Sequence, residues 1–122
     1  MENKLLHHLL WERIRGGDNG AFFDLYKALY YDLVNFGIRV CGDAETSGEA
    51  TDQVFITIWE KHEQLNRVDN VPAYLRTFLK RKILRLLERK RKINDALQNA
   101  GAEGEWMEMS YEEFIVKVQT DE

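Results

Sequence analysis

Apolar residues recur along this chain at three- and four-residue intervals, with no sustained strict alternation, so the pattern predicts helices throughout. The expected fold is all-α, a compact bundle of about four helices with a short fifth at the C-terminus. The first helix is expected from about Asn3 to Arg15, with Leu6, Leu10 and Ile14 facing inward. "GGDNG" (Gly16 to Gly20) ends it and offers Asp18 or Asn19 as a cap for the next. The second, Ala21 to Cys41, carries a stripe of Phe22, Leu25, Tyr26, Leu29, Leu33, Phe36 and Val40, widened by Phe23, Tyr30 and Gly37. So apolar a helix belongs at the centre.

Gly42 closes that helix and Asp43 can cap a third, which the pattern carries to about Glu63. Its inward residues are expected to be Ser47, Thr51, Val54, Phe55, Ile58 and His62. "QLNRVDN", residues 64 to 70, reads as a polar loop, and Pro72 suits the first turn of a fourth helix from Val71 to about Lys92. Leu75, Phe78, Leu79, Ile83 and Leu86 form its buried stripe. After it, "NDALQNAGAEGEWMEM" has weak periodicity and two glycines and is expected to be a linker. "SYEE" then gives Ser110 and Glu113 capping-box spacing ahead of Phe114, Ile115 and Val118, the signature of a short last helix. Residues 1–92 are therefore expected to form the domain and 93–122 an acidic linker with that helix.

At 122 residues the chain has room for about one core. The lone Cys41 can make no internal disulfide and lacks metal-site neighbours, so a half-buried, small apolar role is expected. No stretch approaches the roughly 20 apolar residues of a membrane span. The leucine-rich opening is broken by His7 and His8, with no cleavage site after it. These features predict a cytoplasmic protein without a membrane partner. No Gly-rich phosphate loop, Cys-His pairing or inward carboxylate dyad is present, so neither an enzyme nor a cofactor is expected.

Charge changes the picture. The net charge is −4, yet residues 74 to 92 hold nine Lys or Arg against one acid, a local +8, flanked by segments of −5 and −7. A helix that merely solvates a surface interleaves both signs. This one, with Arg76, Lys80, Arg81, Arg85, Arg89, Lys90 and Arg91 outside its apolar stripe, suits a polyanion such as a phosphate backbone. Tyr74, just after the polar loop, adds an aromatic surface of the kind on which unpaired bases stack. The third helix has the opposite character. Glu49, Asp52, Gln53, Glu60 and Glu63 surround Ile56, with Trp59 at the margin, an apolar anchor in an acidic rim that suits a protein partner. The near cancellation of +8 by −7 motivates an alternative from another class, a helical protein-interaction module whose acidic tail masks the basic helix without any nucleic acid.

The succession "GDNGAFFDLYKALYYDL", "DQVFITIWEKHEQL" and "PAYLRTFLKRKILRLLERKRK", over about residues 10 to 92, resembles the promoter-melting domain, region 2, of extracytoplasmic-function sigma factors. The resemblance implies a non-enzymatic RNA polymerase subunit. Its third-helix surface would dock on the clamp helices of the largest polymerase subunit, through Glu49, Asp52, Gln53, Ile56, Trp59 and Glu60. Its last helix and the preceding loop would open the −10 promoter element and hold a flipped base of the non-template strand, with Tyr74, Arg76, Lys80, Arg81, Arg85, Arg89, Lys90 and Arg91 on the DNA side. An anti-sigma protein is a further partner that the resemblance allows.

There are departures from the family pattern. Asp52-Gln53 stands where the family often has Gln followed by an acid. Arg81 and Arg85 replace a common Asn and Asp, and Glu88 stands where Arg is frequent. The added positive charge favours phosphate contact over base reading. Nothing after Lys92 is long enough for the family's second, −35-reading domain, so the chain is expected to be part of a longer protein, its tail resembling the interdomain linker.

Overall fold

The structure is a computed structural model that describes the backbone of residues 2–103 and the side chains of residues 4–99. Four α-helices follow one another: α1 (Glu2–Arg15), α2 (Asn19–Cys41), α3 (Ala44–Glu60) and α4 (Val71–Glu103), with a single 3-10 turn at His62–Gln64. No strand occurs among the described residues, and the fold is the expected all-α bundle. The chain divides into two compact units, Met1–Ile83 and Leu84–Glu122, the boundary falling inside α4.

Short polar side chains start three of the helices. Asp18 accepts from the Ala21 amide at 3.1 Å and caps α2. Asp43 accepts from both the amide and the hydroxyl of Thr46, at 3.2 and 2.5 Å, and caps α3. Asn70 Oδ1 accepts from the Ala73 amide at 3.1 Å at the start of α4, where Pro72 lacks an N–H that would otherwise need a partner. Between α2 and α3 the chain reverses over Gly42, whose left-handed backbone (φ 73°) lets its N–H reach Ile38 O at 2.6 Å. Only glycine takes that conformation without a steric penalty.

The core of α2 is the line Ala21, Leu25, Leu29, Leu33 and Gly37. Phe22, Tyr26, Tyr30, Phe36 and Val40, placed in the inward stripe by periodicity, are half-buried at its edge, and Phe23 is 56% exposed. Helix α3 buries Ser47, Thr51, Val54, Phe55 and Ile58 as expected, with Thr46 and Ala50 beside them. It stops at Glu60, so His62 lies in the following turn and is half-buried. In α4, Leu75, Leu79, Ile83 and Leu86 are buried and Phe78 half-buried. Each fully buried Leu or Ile contributes roughly 1.5–3 kcal/mol relative to exposure. Cys41 is half-buried, its thiol 3.4 Å from Asp43 O.

Two expectations need correction. In α1, Leu6 is 48% exposed, and the buried face is His7, Leu10, Trp11 and Ile14. That set has helical spacing too, but it places a histidine and a tryptophan inside. Burial holds the His7 pKa below the usual histidine value, with the Asp32 carboxylate opposing the shift. The second correction concerns α4, which runs on to Glu103 instead of ending near Lys92. Ile93 is buried there, and residues 94–103, expected to begin a linker, are helical. The short helix expected around Ser110 lies outside the described residues.

Candidate functional site

Between α2 and α3 lies an apolar groove of about 420 Å³. Phe22 and Tyr26 form one wall, Phe55, Ile56 and Trp59 the other, and Asp52 and Glu60 stand at the rim. The floor is a continuous aromatic cluster. Phe55 meets Tyr26 edge-on at 5.0 Å and Phe22 at 6.2 Å, while Phe22 lies 5.3 Å from Trp59. The Trp59 indole is also stacked with His62, 4.5 Å away and 20° from parallel, whose Nδ1 donates to Trp59 O at 2.7 Å. Trp59 is thus held in one orientation.

Ile56 is 55% exposed at the centre of this wall. Burial, together with hydrogen bonding to the Asp52 carboxylate, pushes the Tyr30 pKa up to about 12. Of the residues proposed from sequence for protein binding, Asp52, Ile56, Trp59 and Glu60 are brought together here, while Glu49 is exposed and Gln53 half-buried outside the lining. Sequence reasoning missed Phe22 and Tyr26 as site residues. They stand one turn apart on the most apolar helix, and the pattern assigned both to the core.

A second constellation surrounds the loop before α4. Three side chains of α1 reach carbonyls of this loop: Arg15 Nε donates to Leu65 O at 2.9 Å, Trp11 Nε1 to Asn66 O at 2.9 Å, and His8 Nδ1 approaches Val68 O at 3.4 Å. Arg15 is braced by Glu12 at 2.8 Å. The Trp11 ring, fully buried, also meets Tyr74 edge-on at 5.5 Å. Tyr74 is 40% exposed, so part of its ring faces solvent beside the loop.

From Tyr74 onward, Arg76, Lys80 and Arg81 are exposed on the first unit's part of α4. On the second unit's part, Arg85 is exposed, Arg89 and Lys90 are half-buried, and Arg91 is bridged to Glu88 at 2.6 Å and to Asp95 at 3.4 Å. That bridge lowers the Glu88 pKa, chiefly through the hydrogen bond from Arg91. A phosphate approaching Arg91 therefore competes with two carboxylates already in place, which sequence spacing did not reveal.

Among the described residues no cluster of His, Cys, Asp or Glu is arranged to hold a metal ion. No helix there is long and apolar enough to cross a membrane. The geometry instead presents two surfaces of opposite character, an acid-rimmed apolar groove and a basic helix that follows a tethered loop. No curated protein and no solved structure matches the chain. The Sigma-70 region 2 family, however, matches residues 25–93, from the second turn of α2 through the basic part of α4. More than half of the chain is covered, both surfaces fall largely within the match, and the chain therefore belongs to the Sigma-70 region 2 family, the sigma-factor domain that engages RNA polymerase and promoter DNA to start transcription.

Proposed function

We propose that this chain is the promoter-melting domain of an extracytoplasmic-function sigma factor, working in the bacterial cytoplasm as a part of RNA polymerase holoenzyme. The α2–α3 groove docks on the clamp helices of the largest polymerase subunit. An apolar side chain from the polymerase enters between Tyr26, Ile56 and Trp59, and basic residues around it meet Asp52 and Glu60, with Glu49 and Gln53 further out on the same helix. Single apolar anchors inside a polar rim supply most of the energy of such interfaces.

The loop and α4 take the −10 element. Arg76, Lys80, Arg81 and Arg85, with Arg89, Lys90 and Arg91 beyond them, hold the phosphates of the separated non-template strand, and Tyr74 stacks against an unpaired base. Unstacking a base step costs a few kcal/mol, so the domain favours strands already open and gains its opening power from the polymerase that carries it. The observation that carries this reading is the exposed Ile56 in an acid-rimmed aromatic groove, a large apolar side chain left outside the domain's own core.

The test is recovery on immobilised core RNA polymerase. Wild type is retained and Ile56→Glu is lost, the charge being unable to enter an apolar contact. Equal recovery of both, or of neither, overturns the docking face.

A further inference from the structure

The loop that leads into α4 has no regular structure over residues 65–70, yet its backbone is not free. Carbonyls of Leu65, Asn66 and Val68 are each met by a side chain from α1, fifty or more positions earlier in the chain. The donors differ in kind. Arg15 supplies a charged N–H held by Glu12, and Trp11 supplies an indole N–H from a ring with no solvent exposure. His8 supplies the longest and weakest contact of the three.

We propose that α1 is a clasp that sets the conformation of this loop and, through it, which unpaired base the domain accepts. This rests on the reading that the loop and Tyr74 hold an unstacked base of the promoter. Three consequences of the geometry support it.

With these three carbonyls occupied and Asn70 Oδ1 capping α4, the loop still presents the side chains of Asn66, Arg67 and Asp69, all exposed. Their donors and acceptors suit the edge of a nucleobase.

Ordering a free backbone costs conformational entropy, so a loop fixed in advance spares that cost when the base binds. Wrong bases are then rejected by misplaced partners instead of being accommodated by a loop that adjusts.

The same Trp11 that donates to Asn66 O also packs edge-on against Tyr74. One buried indole therefore registers the stacking ring and the reading loop relative to each other. Helix α1 lies ahead of Leu25, where the match to the family begins.

Trp11, Arg15 and His8 are thus positioning residues. The test applies the full chain to a pool of random single-stranded DNA oligonucleotides, and bound and unbound fractions are sequenced. Trp11→Phe keeps an aromatic ring and deletes the indole N–H. Arg15→Met keeps the aliphatic stem and deletes the donor. Thermal unfolding establishes that each variant is folded, and Arg15→Met decides alone if Trp11→Phe is not.

Wild type is expected to enrich particular bases at one position, and the variants to lose about fivefold or more of that enrichment, the scale of one net hydrogen bond. Their salt dependence and their recovery on core polymerase stay at the wild-type level, which a general loss of structure would not allow. Folded variants that keep the full base preference overturn the clasp. A wild type without any base preference overturns the reading of the loop itself.

Discussion

Gly37 of α2 lies against Ser47 of α3 so closely that a Cβ at position 37 would run into the Ser47 hydroxyl. The Ile83 side chain of α4 closes the same space from another side, 3.0 Å from where that carbon would be. Ser47 Oγ donates to Val34 O at 2.7 Å, so the serine cannot turn away without leaving a buried hydroxyl unpaired. Gly37→Ala is therefore expected to destabilise the domain by about 1–3 kcal/mol through overpacking. Gly48 is the matched control, for it too is helical but has open space around it. Gly48→Ala should stabilise by about 0.5–1 kcal/mol through backbone entropy. Urea unfolding of the two variants against wild type checks both signs.

The caps make a second prediction. Asp43 satisfies the Thr46 amide and hydroxyl together, and Asp18 satisfies the Ala21 amide. Replacing either by Ala should cost about 0.5–2 kcal/mol, Asp43 the more because a buried threonine hydroxyl loses its acceptor as well. Denaturant midpoints measured by circular dichroism decide the order.

Arg76, Lys80 and Arg81 are exposed on α4, whereas Arg91 is bridged to two acids. Replacing the first three by Gln should reduce the slope of log affinity against log salt for single-stranded DNA by about 0.7 per lost phosphate contact, about 2 in all. Arg91→Gln should change it by less. A binding titration at four salt concentrations measures the slopes directly.

Tyr30 gives a pH dependence with a definite sign. Its folded-state pKa, about 12, lies above the unfolded value of about 10, so the folded state holds the proton more tightly. The resulting stabilisation is complete below about pH 10 and is lost as pH rises toward 12. Tyr30→Phe has no proton to lose at that position, so its stability should fall less steeply across the interval. Unfolding at pH 9 and pH 11 gives the comparison.

Much of this architecture was legible in the sequence because helices announce themselves locally. The α3 inward face, the caps at Asp18 and Asp43, and the turn at Gly42 each follow from residues within four positions of one another. Helix α1 is rotated from the face that its aliphatic residues predict. His7 and Trp11 share the spacing of Leu10 and Ile14, but counting only aliphatic residues selected Leu6, and what makes Trp11 acceptable inside is a carbonyl supplied by residue 66. The length of α4 was missed because its apolar stripe thins after Leu86. Ala, Leu and Gln between 96 and 98 continue the helix on propensity, with Arg91 linking Glu88 and Asp95 across successive turns. The groove was half visible. Ile56 and its acids stand out on one helix, while Phe22 and Tyr26 on the other have the spacing of core residues and become groove lining only through the packing of the two helices.

The chain turns from α2 into α3 over Gly42 and Asp43 alone. The groove's facing rings, Tyr26 with Phe55 and Phe22 with Trp59, are 29 and 37 positions apart, while the α1 contacts to the loop bridge separations of 50 to 60 residues. Of the two sets, the α1 contacts close the longer loops and carry the larger closure entropy. On the roles proposed above, a copy heated until its N-terminal helix peels away would still capture the enzyme and yet misjudge where to begin. Heat stress would then cost the cell accuracy of initiation before it cost occupancy.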